Sequence, residues 1–370
     1  MILILTQSVE TLLLAIHFIC VDLAMVGPLG ALLLMRRARR RNDPSAEKAA
    51  RWLIQISWRA MAVAILLGVA VGLLLWLSGG GRFFAGLSRL PPSRLYFSAA
   101  ELAFYFALVV PCDLAWEWLR GRTVLRTVLL LAAATNLIYH FPGLFVCAAE
   151  LAVAPAEQTA ITSAEFRRMM FTPNVLAQVI HHVLSAVSVT GVAVMVYAGR
   201  LPRLENDEPQ PLAIGSARFA IAATLLQIPA GLWLLATLPP AARGAVLGSD
   251  VLTSGLFLSA MVAALGLLHY LSTAAMGDAG RGQTRGCVAL LVVVIVLMTG
   301  TLRQIREYHW VGHAQRDIGH VKLGRNHHLP FAMPPVGSAQ QRGAHAPRSP
   351  GNGCVARTLH EESWNLNSSH

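Results

Sequence analysis

Three histidines lie in separate apolar segments of the chain: His17, His140 and His181. Each is predicted to lie near the same end of a helical bundle. A histidine inside a bilayer is costly unless it has a partner or a task. Imidazole is the commonest metal ligand among side chains, and it holds the iron of many haems. The placement therefore favours a membrane protein that binds haem. The alternative for each histidine taken alone is a packing or hydrogen-bonding role.

The composition of the chain requires a membrane. Hydrophobic residues make up 55% of the 370 residues and charged residues only 13%, and the mean hydropathy is +0.54. Water-soluble domains are far less apolar. About 20 apolar residues suffice to cross a hydrocarbon core of about 30 Å. The sequence predicts eight such segments, which we number 1 to 8: 11–35, 56–78, 96–118, 123–142, 173–198, 214–237, 251–275 and 285–302.

These segments predict an all-α membrane protein with about eight transmembrane helices in two four-helix bundles. We expect a first transmembrane region at 1–200 with segments 1 to 5 and a second at 201–302 with segments 6 to 8. From residue 303 to 370 the apolar pattern stops, and eight of the thirteen histidines lie there among Gly, Pro, Ser and Arg. That composition predicts a disordered, basic tail whose histidines are solvated.

The basic residues predict the orientation. The loop after segment 1 is the most basic in the chain, and basic loops stay in the cytoplasm by the positive-inside rule. The N-terminus is then expected outside. The net charge of +11 is explained by these short loops and the tail, so no nucleic-acid partner is predicted. The loop carries Arg36, Arg37, Arg39, Arg40, Arg41, Lys48 and Arg51.

Helix geometry places several polar or sulfur-bearing side chains at similar depth below the outer surface. With a rise of about 1.5 Å per residue, Glu101 lies roughly 8 Å deep, His17 about 10 Å, His181 about 12 Å and Met261 about 15 Å. His140 ends segment 4 on the same side. The five cysteines form neither a CxxC pair nor a CxxCH motif, so a haem would be held without covalent attachment. We therefore predict haem b, one or two per chain.

A resemblance to a known family adds to this interpretation. The segment FTPNVLAQVIHHVLSA at 171–186 resembles the fifth helix of subunit I of the cytochrome bd quinol oxidases, in which a ligand histidine follows a proline by eight residues. The alignment implies that His181, rather than His182, is an axial ligand. The segment AMVAALG at 260–266 is similar to the helix that carries the methionine ligand of the same low-spin haem. Met261 would then share an iron with His181.

Three further stretches fall in the family's order, and the resemblance spans roughly residues 10 to 270. AIHF at 15–18 resembles the first-helix motif whose histidine ligates a high-spin haem, which implies that role for His17. AELAF at 100–104 resembles the first glutamate of the third helix, here Glu101. NLIYHFPG at 136–143 is similar to NGWMQxPxG, with His140 where the family has glutamine.

The sequence also departs from the family. Val109 stands where a second glutamate of the third helix is expected, and only residues 238–250 join segments 6 and 7, where the family has a long quinol-binding loop. No GRQPW motif is present, and no late glutamate matches the one that helps to ligate the second haem. These departures argue against quinol oxidation by the usual loop and against oxygen reduction at a three-haem centre.

The expected function is a membrane-bound b-type cytochrome of the bacterial inner membrane that transfers electrons near the outer face. Quinol or an extracytoplasmic c-type cytochrome would be the redox partner. A second membrane subunit is a further candidate partner. Glu101 and Asp22 are the candidate catalytic, proton-handling groups; Asp22 is alternatively a protonated group paired with Arg59 or Asn136. The alternative functions are a quinol-oxidising terminal oxidase subunit and a haem-free transporter or assembly protein.

Overall fold

A computed structural model describes the backbone of residues 2–77, 81–153, 160–201 and 211–325, and side chains within these ranges from residue 6 to residue 306. The described chain is helical and contains no strand. Eight of its helices are long and apolar enough to cross a membrane. The predicted fold class, an all-α multi-pass membrane protein, is confirmed.

Twelve α-helices make up the described chain, and one turn of π-helix at Ala245–Ser249 joins the tenth to the eleventh. The membrane-spanning helices are α1, α2, α4, α6, α8, α9, α11 and α12. The helix bounds are α1 Ile2–Arg41, α2 Pro44–Leu77, α3 Gly81–Ser88, α4 Pro92–Leu114, α5 Trp116–Arg120, α6 Thr123–Val153, α7 Ser163–Met170, α8 Pro173–Ala198, α9 Pro211–Thr237, α10 Pro240–Gly244, α11 Val251–Met276 and α12 Arg281–Arg325.

The last helix extends further than the sequence predicts. Segment 8 is expected to end at residue 302 and disorder to begin at 303, but α12 continues to Arg325. Residues 303–325 contain no proline, and extending a formed helix costs far less than nucleating a new one. The helix thus extends beyond the predicted end of segment 8, and residues 326–370 of the predicted tail lie outside the described residues.

Two four-helix groups share the apolar interior. In the first, α1, α2, α4 and α6 contact one another in a closed ring, around buried side chains such as Met25, Leu53 and Tyr105. In the second, α8, α9, α11 and α12 meet around Met195 and Leu271. A small cluster of residues from α1, α8 and α12 joins the groups. The two bundles are thus parts of one continuous core.

The turn between α1 and α2 is tight because each of its residues suits its backbone position. Asn42 adopts a left-handed φ of 50°, which asparagine tolerates at a helix C-terminus. Asp43 Oδ1 accepts hydrogen bonds from the backbone N–H groups of Ser45 and Ala46, at 3.0 and 3.1 Å, as an N-cap does. Pro44 opens α2 with a fixed φ. The turn sets α1 antiparallel to α2 and places the His17 side chain beside α2.

Small residues bring α8 and α9 close together. A Cβ atom at Gly191 would lie 2.9 Å from the Ala220 Cβ and 3.1 Å from the Ser216 carbonyl oxygen. One turn away, the hydroxyls of Ser188 and Thr224 share a buried hydrogen bond of 2.8 Å. Membrane helices associate largely through such close packing and interhelical hydrogen bonds, because lipid and protein interiors are similarly apolar.

We predict that Gly191→Leu lowers the thermal stability of the detergent-purified protein, by about 1–3 kcal/mol for overpacking of this kind. The matched control is Gly255→Leu on α11, where an added Cβ meets nothing within 4 Å. A melting curve followed by circular dichroism measures both. An equal effect of the two substitutions would contradict the tight contact of α8 with α9.

Candidate functional site

The polar side chains predicted to matter lie toward one end of the bundle. We call this the histidine end; it contains the starts of α1, α4 and α8 and the ends of α2, α6 and α9. The opposite end, which contains the α1–α2 turn, we call the arginine end. His17, Glu101, His140 and His181 all belong to the histidine end, as the depth estimate from helix rise predicted.

Glu101 of α4 and His140 of α6 form a buried pair. Glu101 Oε2 lies 2.6 Å from His140 Nδ1, and the two residues are only 4% and 2% exposed. Asn136, one turn from His140, donates from its side-chain amide to the Glu101 carbonyl oxygen at 3.0 Å. A short contact between an acid and a base out of water means that one proton is shared between them. The sequence named both residues without predicting their contact.

Aromatic rings and an arginine enclose this pair. The His140 ring packs edge-on against Phe97, at 5.3 Å between centroids, and Phe166, at 5.7 Å. The Arg94 guanidinium lies 5.7 Å from the centre of the same Phe166 ring. His140 Nε2 is buried without a hydrogen-bond partner. The pair therefore has one nitrogen still able to bind a further group.

The short helix α7 holds Phe166 in place. Thr162 and Glu165 form a capping box, in which the Thr162 hydroxyl accepts from the Glu165 N–H at 3.2 Å and Glu165 Oε2 accepts from the Thr162 N–H at 2.7 Å. Hydrogen bonds from the Thr162 backbone and side chain lower the pKa of the exposed Glu165 carboxyl, since they favour its charged form. The short helix α7 thereby places Phe166 against His140.

His17 is fixed against α2 by a backbone group. His17 Nδ1 lies 2.8 Å from the carbonyl oxygen of Ala64. A carbonyl oxygen can only accept, so Nδ1 carries the proton and Nε2 keeps its lone pair in the neutral ring. The ring lies over Gly68, where a Cβ atom would come within 3.1 Å of its Cε1 atom. The described chain offers no hydrogen bond to His17 Nε2.

Asp22 lies about one and a half turns further along α1, almost completely buried at 1% exposure. Its Oδ2 accepts from the Ser185 hydroxyl at 3.4 Å, and its Oδ1 lies 3.5 Å from His182 Nε2 without hydrogen-bond alignment. His182 in turn is within electrostatic range of His17 and His181. Asp22 therefore meets α8; the alternative partners Arg59 and Asn136 are not bonded to it in the described chain.

His181 lies between α8 and α9. Its Cε1 and Nδ1 atoms face Gly231, where a Cβ would be 3.5 and 3.7 Å away, and the backbone of Gln227 lies close by. Nδ1 is buried without an aligned hydrogen-bond partner. His182, the next residue, faces α1 instead. The choice of His181 over His182 as a ligand stays a prediction, and the structure places the two on different interfaces.

Met261 does not share the burial of the other candidates. Its side chain is 39% exposed on α11, while Ala260 and Ala263 are buried. Its pairing with His181 on one iron stays a prediction.

Asp113 lies at the arginine end, where its carboxylate accepts from the Gln55 amide at 2.9 Å and from the Trp58 indole N–H at 3.1 Å. Each of its two oxygens therefore has a donor. Asp113 is far along α4 from Glu101, and its partners lie on α2.

Sequence reasoning missed a second polar group at the histidine end. Glu150 Oε1 accepts from the side-chain amides of Asn174, at 2.9 Å, and Gln178, at 3.5 Å, and Arg306 of α12 is within electrostatic range of Glu150. It also missed Arg94 beside His140. Arg94 lies two turns before Glu101 on α4, so the two residues share one face of the helix. This spacing was the signal in the sequence that could have placed Arg94 near the pair.

In the described residues, no group of three or more His, Cys, Asp or Glu side chains is arranged to hold a bare metal ion. No known family model, curated protein or solved structure matches the chain.

We predict that Glu101 and His140 are energetically coupled. In a double-mutant cycle with Glu101→Gln and His140→Gln, the coupling free energy of unfolding should be about 0.5–3 kcal/mol, as for contacting residues in a network. Glutamine keeps much of the size and polarity of both positions, so the cycle isolates the shared proton. Chemical unfolding in detergent measures it, and additive effects of the two substitutions would contradict the coupling.

Proposed function

We propose that the protein is a membrane-bound b-type cytochrome, a shortened relative of cytochrome bd subunit I, in a bacterial inner membrane with the histidine end outside. The observation that carries the proposal is the state of His17. Because Ala64 accepts its Nδ1 proton at 2.8 Å, Nε2 is the unprotonated nitrogen of the neutral ring and keeps a lone pair that can bind iron. In histidine ligands, the ring nitrogen that does not bind the metal usually donates a hydrogen bond, often to a backbone carbonyl, and this bond orients the ring.

The other residues at the histidine end fit a haem as well. His181 presents a buried Nδ1 with no aligned hydrogen-bond partner, and its ring lies against the bare backbone of Gly231. In this proposal His17 would hold one haem and His181, with Met261 as second ligand, another. Bound haem b supplies an iron that gains and loses one electron. The remaining chemistry falls to the side chains of the chain.

Two acidic residues are placed to handle protons near these histidines. An electron that enters a buried centre adds negative charge in a low-dielectric region, so a neighbouring acid gains affinity for a proton. Glu101 and His140 share one proton across their 2.6 Å contact. Asp22 lies beside His182 and Ser185. These carboxyls take up and release protons as electrons pass, while aromatic rings exclude water from the Glu101 pair.

The test is a dithionite-reduced minus oxidised visible spectrum of the purified protein, with a pyridine haemochrome assay of haem per chain. We expect a b-type band and one or two haems in the wild type. His17→Ala and His181→Ala should each remove haem, whereas His269→Ala should not. His269 is a matched control because it is an intramembrane histidine exposed on α11. A well-folded wild type without haem, or full haem content in both variants, would overturn the proposal.

The pairing of Met261 with His181 needs a separate measurement. If the two share one iron, Met261→Leu and His181→Ala should change the same low-spin spectral component, and His17→Ala should leave it in place. The matched control is Leu265→Val, which alters another exposed side chain one turn along α11 and should leave the component unchanged. Loss of two different components, or no change with Met261→Leu, would exclude the shared iron.

A further inference from the structure

The arginine end contains a pocket that the electron-transfer proposal does not use. It has a volume of about 540 Å³, within the range of about 300–1,000 Å³ typical of ligand sites. Two helices line it, α1 and α9. The α1 residues are Leu33, Arg36, Arg37, Arg40 and Arg41, and the α9 residues are Pro211, Ile214, Gly215 and Arg218.

Helical periodicity explains why five arginines meet there. On α1, Arg37 and Arg41 are four residues apart, as are Arg36 and Arg40, so all four lie on adjoining strips of one face. Like charges at this spacing repel and destabilise a helix. In the described chain only Arg37 of the five pairs with a carboxylate, through its Nε and Asp43 Oδ2 at 3.1 Å. The pocket therefore carries excess positive charge that an anion would offset.

Two of the arginines are held in position. Arg37 is anchored by Asp43, and its Nη1 atom lies so close to α9 that a Cβ at Gly215 would come within 2.6 Å of it. Arg218 donates from Nε to the carbonyl oxygen of Ala275, at 2.9 Å, which satisfies a free carbonyl at the end of α11. Anchored guanidinium groups lose little freedom when a ligand binds. These two form rigid walls of the pocket.

The rest of the lining is apolar and lies at the membrane boundary. Leu33 is 51% exposed, about one turn inside the arginines of α1, and Pro211 and Ile214 face it from α9. A free phosphate ion would gain nothing from these side chains. A phospholipid presents a phosphodiester to guanidinium groups and acyl chains to apolar residues at this depth. Basic pockets between transmembrane helices bind anionic lipid headgroups for the same reason.

We propose that this pocket binds the headgroup of an anionic phospholipid, with Arg37 and Arg218 as its fixed walls and the first acyl carbons against Leu33 and Ile214. The remaining lining arginines, Arg36, Arg40 and Arg41, supply positive charge to the phosphodiester. The site is independent of haem. It joins α1 to α9, and through Arg218 to α11, so a bound lipid links the two bundles at the arginine end. The lipid thereby stabilises the fold.

The experiment uses the full chain in neutral detergent, to which phosphatidylglycerol or phosphatidylcholine is added, with binding measured by native mass spectrometry and stability by thermal melting. The test variant carries Arg36→Gln, Arg40→Gln and Arg41→Gln. The control carries Arg122→Gln, Arg281→Gln and Arg285→Gln, which removes the same charge at the same end outside the pocket lining. We keep Arg37 and Arg218 in both, because their bonds support the fold.

Phosphatidylglycerol should bind and stabilise the wild type and the control, and phosphatidylcholine should not. In the test variant its binding should weaken on the order of 100-fold, for three arginines that each face an anionic headgroup. If phosphatidylglycerol binding weakens equally in the control, the lipid binds through general surface charge, and the pocket is not its binding site. If inorganic phosphate stabilises the wild type as much as phosphatidylglycerol does, the ligand is a free phosphate and not a lipid. In the sequence, the acidic residues Glu205, Asp207 and Glu208 come shortly before the pocket residue Pro211. Lipid binding that appears only after Glu205→Gln, Asp207→Asn and Glu208→Gln would mean that this acidic segment is the occupant of the pocket, and it would overturn the proposal.

Discussion

The absence of water from the bilayer interior is the constraint on which the structure depends. Backbone N–H and C=O groups there must be satisfied within the chain, and a helix does this with its own residues. Some hydroxyl side chains bond to a carbonyl one turn earlier on their own helix, as Ser57 does to Leu53, but larger polar side chains need a partner on a neighbouring helix. The contacts of Tyr105 with the Ala24 carbonyl, of His17 with the Ala64 carbonyl and of Ser188 with Thr224 are the result, and they also fix how the helices pack.

The two ends of the bundle meet this constraint differently. At the arginine end, Asp113 receives two hydrogen bonds, and charged side chains reach the aqueous boundary. At the histidine end, buried nitrogens of His140 and His181 and one oxygen of Asp22 have no aligned partner. Unsatisfied buried polar atoms cost free energy and are rare in folded proteins. Arg94, Arg126 and Thr190 also carry a buried side-chain atom without a partner, so such atoms are not confined to one end. Those of His140 and His181 are imidazole nitrogens, which can bind a metal, and this supports the proposal of a bound group at the histidine end.

Much of the candidate site was predictable because helix geometry converts residue number into depth. His17, Glu101, His140 and His181 come from four helices, and a fixed rise per residue was enough to assign them to one end. The lateral arrangement was not predictable in this way. The sequence named Glu101 and His140 separately, whereas the structure brings them into direct contact between α4 and α6. Neighbouring side chains are set by helix rotation and crossing angle, which depend on packing across the entire interface.

The sequence by itself determined the multi-pass helical fold, the number of spanning helices and the charge difference between the ends, because each follows from local hydropathy and composition. It also set the tight α1–α2 turn through Asn42, Asp43 and Pro44. Only the tertiary structure decided that His181 and its neighbour face different helices, and that arginines of α1 and α9 surround one pocket. These are contacts between residues far apart in the chain, and they exist only after small residues such as Gly191 allow the helices to approach each other closely.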